Sequence, residues 1–96
     1  MVDCPQRERL GYGGDAHATA ETGLFNFGMG AFYTKWMQDW RDVQGWQSLN
    51  GKRDGSGVLP PTAPTNDGGG GPAWGGICVT LAWYVYQHQG DKRILE

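Results

Sequence analysis

The sequence predicts an all-α chain whose helices are joined by a long Gly/Pro-rich loop, and three observations carry that reading. Met29, Phe32, Tyr33, Trp36, Met37, Trp40 and Val43 repeat at i, i+3, i+4, i+7, i+8, i+11 and i+14, which is one apolar face at helical period. A second apolar run extends from Trp74 to His88. Between the two, Gly45 to Pro72 has no period, and its four prolines and many glycines break any regular element.

The chain opens on a dense stretch, Asp3-Cys4-Pro5-Gln6-Arg7-Glu8-Arg9-Leu10-Gly11-Tyr12-Gly13-Gly14-Asp15. Pro5 fixes φ and removes a backbone donor, while Gly11, Gly13 and Gly14 tolerate angles that other residues avoid. No single helix or strand runs through such a segment, so it reads as a shaped, charge-rich loop. Loops of that kind on a scaffold commonly carry chemistry; the residues alone also leave open a solvated turn.

A short helix over 15–25 follows, with Asp15 as its N-cap and alanines supplying propensity; Gly23 and Gly28 weaken or end it. The apolar stripe then predicts a helix over 28–44, about 25 Å long at 1.5 Å per residue, whose aromatic face reads as core. The helix over 74–88 places Ile77, Leu81, Tyr84 and Val85 on one side and Cys78, Val79 and Ala82 beside them, so burial is expected on more than one face. Gly90 reads as its C-terminal stop, and Asp91 as the N-cap of another helix begun by Ile94 and Leu95.

Seventeen Gly and five Trp among 96 residues mean much apolar area to bury and little backbone that helps to bury it. Together with a chain that stops in the first turn of an apolar helix, this predicts a piece of a larger body. A net charge of −2 offers no basic patch for nucleic acid, and no apolar run approaches the roughly 18 residues of a membrane span. Cys4 and Cys78 are expected as reduced, partly buried thiols. Gly68 to Gly71 resembles a phosphate cradle only weakly, since no Lys-Ser/Thr follows it. Asp15 and His17 lack further ligands at sensible spacing for a metal, so His17 and His88 read as surface or packing residues, and no cofactor is expected.

The opening stretch resembles the acid-bearing loop of the bacterial α-L-rhamnosidases, glycoside hydrolase family 78, which carry D-C-P-Q-R, an E-R-L-G, an aromatic residue and a G-D at the mouth of a six-hairpin (α/α) barrel. The likeness continues, in order, through Phe25-Asn26-Phe27, Ala31-Phe32-Tyr33-Thr34-Lys35-Trp36 and Trp40-Arg41-Asp42-Val43-Gln44. It runs on through Pro60-Pro61-Thr62-Ala63-Pro64, Gly71-Pro72-Ala73-Trp74-Gly75 and Gly90-Asp91-Lys92-Arg93-Ile94-Leu95-Glu96. It implies that residues 1–96 are the N-terminal part of an incomplete six-hairpin catalytic domain, and that the long loop lies over the barrel mouth and brings Trp74 towards the pocket. Three positions depart from many members: one acidic residue fewer between Arg7 and Glu8, Tyr12 where Trp is common, and Gly76 where a carboxylate is common.

Inverting hydrolysis needs one carboxyl to protonate the leaving oxygen and another to activate water, roughly 6.5–9.5 Å apart. The resemblance implies that Glu8 is the general acid and that Asp3, Arg7 and Asp15 hold the hydroxyls of a terminal α-L-rhamnose. Tyr12 and Trp74 would wall its apolar face, and the water-activating glutamate would lie beyond residue 96. Asp3 and Asp15 would raise the Glu8 pKa while Arg7 and Arg9 oppose it, so the sequence leaves its tuning open. The implied partner is a rhamnose-containing glycoside, together with the rest of the catalytic domain. Two other readings stand beside this one: a non-catalytic sugar-binding module built on Trp74, Tyr12 and the carboxylates, and a helical interaction protein docking through its aromatic stripe.

Overall fold

The structure is a computed structural model that describes residues 3–4, 6–45, 57–65 and 71–96. Pro5, most of the Gly45–Pro72 loop and the glycines at 68–70 lie outside the described residues. Four helices follow in order, α1 (Gly13–Asn26), α2 (Gly30–Val43), α3 (Pro72–Gly75) and α4 (Ile77–Gln89), and then a 3-10 turn, Lys92–Leu95. The all-α expectation is met, with one isolated antiparallel bridge, Tyr12 to Thr62, as the β pairing among the described residues.

The core is one cluster. The α2 stripe buries Tyr33, Trp36, Trp40 and Val43, and tucks Met29 and Met37 partly against them. Phe32, the remaining stripe member, stays 40% exposed. Ile77, Leu81 and Val85 of α4 are fully buried, and α4 packs against both α1 and α2. Helix α1 presents Ala16, Ala20 and Leu24 to the same core. The small alanines let two helix axes come close, which is how a chain this short buries whole indole rings.

Three boundaries differ from the sequence expectation. First, α1 begins at Gly13, so Asp15 is not its N-cap; Tyr12 holds that place without a side-chain cap, and Asp15 sits in the first turn. A carboxylate there still meets the positive end of the helix dipole. Gly23 does not end α1, because a Cβ at that position would lie 2.6 Å from the buried Tyr33 hydroxyl, so its glycine makes room rather than a stop. Second, the run expected as one helix from Trp74 divides at Gly76 into α3 and α4. Third, the element after Gly90 is a 3-10 turn rather than an α-helix.

The predicted stop of α4 and the predicted start of the turn both hold. Gly90 takes the left-handed conformation, φ 72°, and the Asp91 side chain accepts from the Arg93 amide at 3.0 Å.

Part of the aperiodic segment is pinned by its neighbours. The Gly13 amide donates to the Pro61 carbonyl at 3.0 Å and the Ala63 amide to the Gly11 carbonyl at 3.1 Å. The buried Trp36 indole donates to the Ala63 carbonyl at 3.0 Å, and the buried Thr62 hydroxyl donates to the Thr65 carbonyl. Both cysteines are free, and burial pushes the Cys78 thiol up to about 12.

Candidate active site

The opening stretch folds as a closed loop leading into α1. The Asp3 amide donates to the Leu10 carbonyl at 3.0 Å, and the Arg9 amide to the Cys4 carbonyl at 3.2 Å. The Leu10 amide donates to Asp3 Oδ1 at 3.0 Å. Arg9 carries the left-handed backbone of this turn, φ 55°, a conformation uncommon outside glycine. Gly11, Gly13 and Gly14 are not among the described residues with positive φ, contrary to the expectation that they supply unusual angles. They supply space: a Cβ on Gly11 would lie 2.2 Å from the Ala63 carbonyl oxygen.

Closing the loop gathers its charged groups. Ligand atoms of Asp3, Cys4 and Glu8 lie within 4.8 Å of one another. This is the set among the described residues able to face a cation, and it contains neither histidine. Arg7 Nε donates to Glu8 Oε2 at 3.0 Å, and Arg7 Nη2 reaches Cys4 Sγ at 3.7 Å. Arg7 stays 78% exposed, while Glu8 is 36% exposed. Partial desolvation pushes the Asp3 carboxyl up. Hydrogen bonds from the Cys4 and Leu10 amides, with the Cys4 and Glu8 side chains, outweigh it and hold Asp3 at about 2, below the ordinary 3.8. Asp3 is therefore a fixed anion with oriented lone pairs near neutral pH.

The second group lies one turn further on. Between the start of α1 and the α3–α4 junction runs a wide-open, shallow cleft of about 630 Å³, with Asp15, His17 and Ala18 on one side and Trp74 and Thr80 on the other. Asp15 is exposed and Trp74 half-buried. His17, read from the sequence as a surface or packing residue, is half-buried and lines this cleft. Helical spacing could have found it, since His17 and Ala18 follow Gly14 at i+3 and i+4 on one face. Thr80 follows Gly76 by one turn in the same way. The other histidine, His88, packs edge-on against Phe25 at 4.8 Å.

Of the six site residues expected from sequence, Asp3, Arg7 and Glu8 thus meet on the loop, and Asp15 and Trp74 share the cleft. Tyr12 stands between them in the chain. It is half-buried, bridged to Thr62, and not among the residues lining the cleft.

The loop, the cleft and the helices match a known family along their whole length. The model of the bacterial alpha-L-rhamnosidase six-hairpin glycosidase domain covers residues 1–96. The chain belongs to that family. Similar relatives include an alpha-L-rhamnosidase of Formosa agariphila, 36% identical over 99% of this chain and 10% of its own length. Another, from Streptomyces avermitilis, is 37% identical over 98% of this chain and 8% of its own. An alpha-L-rhamnosidase structure from Dictyoglumus thermophilum superposes with a TM-score of 0.79 at 40% identity, covering 98% of this chain and 10% of that one. The chain therefore spans about a tenth of the length of these rhamnosidases.

Proposed function

We propose that this chain is the acid-loop segment of an inverting α-L-rhamnosidase, the N-terminal part of a six-hairpin catalytic domain. The observation that carries the reading is the closed loop that brings Glu8 against Asp3 and Arg7 immediately before the Asp15–Trp74 cleft. In this reading Glu8 is the general acid, protonating the leaving glycosidic oxygen. Asp3 stays ionised down to about 2, so the proton of this pair is not Asp3's to give; its role is to accept from a sugar hydroxyl. Arg7, exposed and adjacent, donates to another. Asp15 accepts from hydroxyls on the cleft side, and Trp74 covers the apolar face and methyl group of rhamnose, with Tyr12 as the second aromatic wall. In this reading the water-activating carboxylate comes from the remainder of the catalytic domain, since the chain spans about a tenth of the length of the rhamnosidases it matches.

A segment exchange tests the proposal. Replacing the matching segment of the Dictyoglumus thermophilum rhamnosidase with residues 1–96 should give a chimera that releases nitrophenol from an aryl α-L-rhamnoside. In that chimera Glu8→Gln should lower kcat by about 10²- to 10⁴-fold, the usual contribution of a positioned general acid. The first sugar product should carry the inverted anomeric configuration by NMR. The isolated 96-residue chain should release no nitrophenol. Unchanged turnover in the Glu8→Gln chimera, or robust hydrolysis by the isolated chain, would refute the assignment.

A further inference from the structure

We infer that Gly14 is a positioning residue for Trp74: its missing side chain is what lets the indole lie on the first turn of α1 as a wall of the cleft. The inference rests on the sugar-cleft reading for its functional meaning, but the contact itself is independent of any ligand. A Cβ built on Gly14 would lie 2.8 Å from Trp74 Nε1, 2.9 Å from Cε2 and 3.3 Å from Cδ1. The first two are distances that real Cβ atoms do not adopt, and all three atoms belong to the pyrrole edge of the same ring.

Other reasons for a glycine at this place fail. Gly14 is not among the described residues with positive φ, so the backbone does not require it. It lies in the first turn of α1, and helical backbone favours alanine over glycine. Local propensity thus argues for alanine and the ring argues against it. Gly13 does a different job one residue earlier. A Cβ there would lie 1.9 Å from the Trp74 carbonyl oxygen and 2.8 Å from its carbon, which is backbone that cannot swing aside. Gly13 seats the α3 turn, and Gly14 seats the ring that the turn carries. Because the obstructed group at Gly14 is a side chain, Gly14→Ala should move the indole and leave the helices in place.

Hydroxyl-radical labelling read by mass spectrometry, without any sugar present, tests this. In the 96-residue chain Gly14→Ala should raise labelling of the half-buried Trp74 several-fold, leave the other tryptophans unchanged, and keep or increase helicity by circular dichroism. Gly28→Ala is the control, since nothing lies within 4 Å of a Cβ there, and it should leave Trp74 labelling at the parent level. Equal Trp74 labelling in Gly14→Ala and the parent would overturn the inference. If Gly14→Ala loses its helicity, the Gly14→Ala/Trp74→Ala chain, which has no ring to strike, should regain the helicity of Trp74→Ala alone; failure to do so would also overturn it. Calorimetry of methyl α-L-rhamnoside with the segment-exchange chimera separates the two readings. A displaced ring in the 96-residue chain beside a chimera that never binds the sugar counts against the cleft's function while leaving the role of Gly14, whereas an unmoved ring beside a chimera that binds does the reverse.

Discussion

The Leu10 amide donates to Asp3 while the Asp3 amide donates back to Leu10, so one residue closes the acid loop from both its backbone and its side chain. Its sign with pH follows from the direction of its shift. Asp3 is held at about 2 against an ordinary 3.8. Its contribution to the closed loop is therefore complete above 3.8 and is lost as pH falls through about 2. The amide proton of Leu10 should report this, with a chemical-shift titration whose midpoint lies near 2 in the parent chain and no such titration in Asp3→Asn. A midpoint at 3.8 or above would show that the loop does not hold the ionised carboxylate. The family resemblance implies a sugar-binding role for Asp3 but gives no sign of this loop-closing one, because a hydrogen bond across seven residues has no local signature.

At the scale of the elements, α4 divides its apolar residues sharply. Ile77 is fully buried, while Val79, two positions on, is 77% exposed. Ile77→Ala should cost about 2–5 kcal/mol as a truncation in the core, and Val79→Ala should stay within about 0.5 kcal/mol, both measured by urea unfolding. Equal effects would mean that the buried face of α4 is not the one described. The two long helices were legible because their periods run through many large residues, and an error of one position changes little in such a pattern. The ends of α1 and the break at Gly76 were not. Propensity places a helix start after paired glycines, yet Gly13 is inside α1 because its amide reaches Pro61 and its bare Cα admits the Trp74 carbonyl. Both partners lie about fifty residues or more away, where no window of local sequence reaches.

The whole molecule extends 37 × 33 × 19 Å, and its shortest dimension is roughly two helix diameters. Two layers can bury one face of each helix but cannot enclose α4, whose sequence is apolar nearly all round. Val79 and the 49% exposed Trp83 remain uncovered on α4, and Phe25 and Phe27, at 72% and 70%, remain so at the end of α1. Exposed apolar groups on this scale mark surfaces that bind other apolar matter. The isolated chain should therefore bind a hydrophobic dye such as ANS strongly while keeping its helical circular dichroism, or self-associate. A dye-silent monomer would contradict this.

By itself the sequence determined the two apolar helices, the stop at Gly90, the cap at Asp91 and the family to which the chain belongs, since each rests on neighbouring residues or on a motif read in order. Only the tertiary structure decided that Asp3 closes the loop around Glu8, that Asp15 and His17 share a cleft with Trp74 and Thr80, and that the glycines before Asp15 are there for space rather than for angle. The physical reason is range. Helical periodicity and caps are set within a few residues, whereas a close approach between backbone and indole exists only once distant segments have packed together.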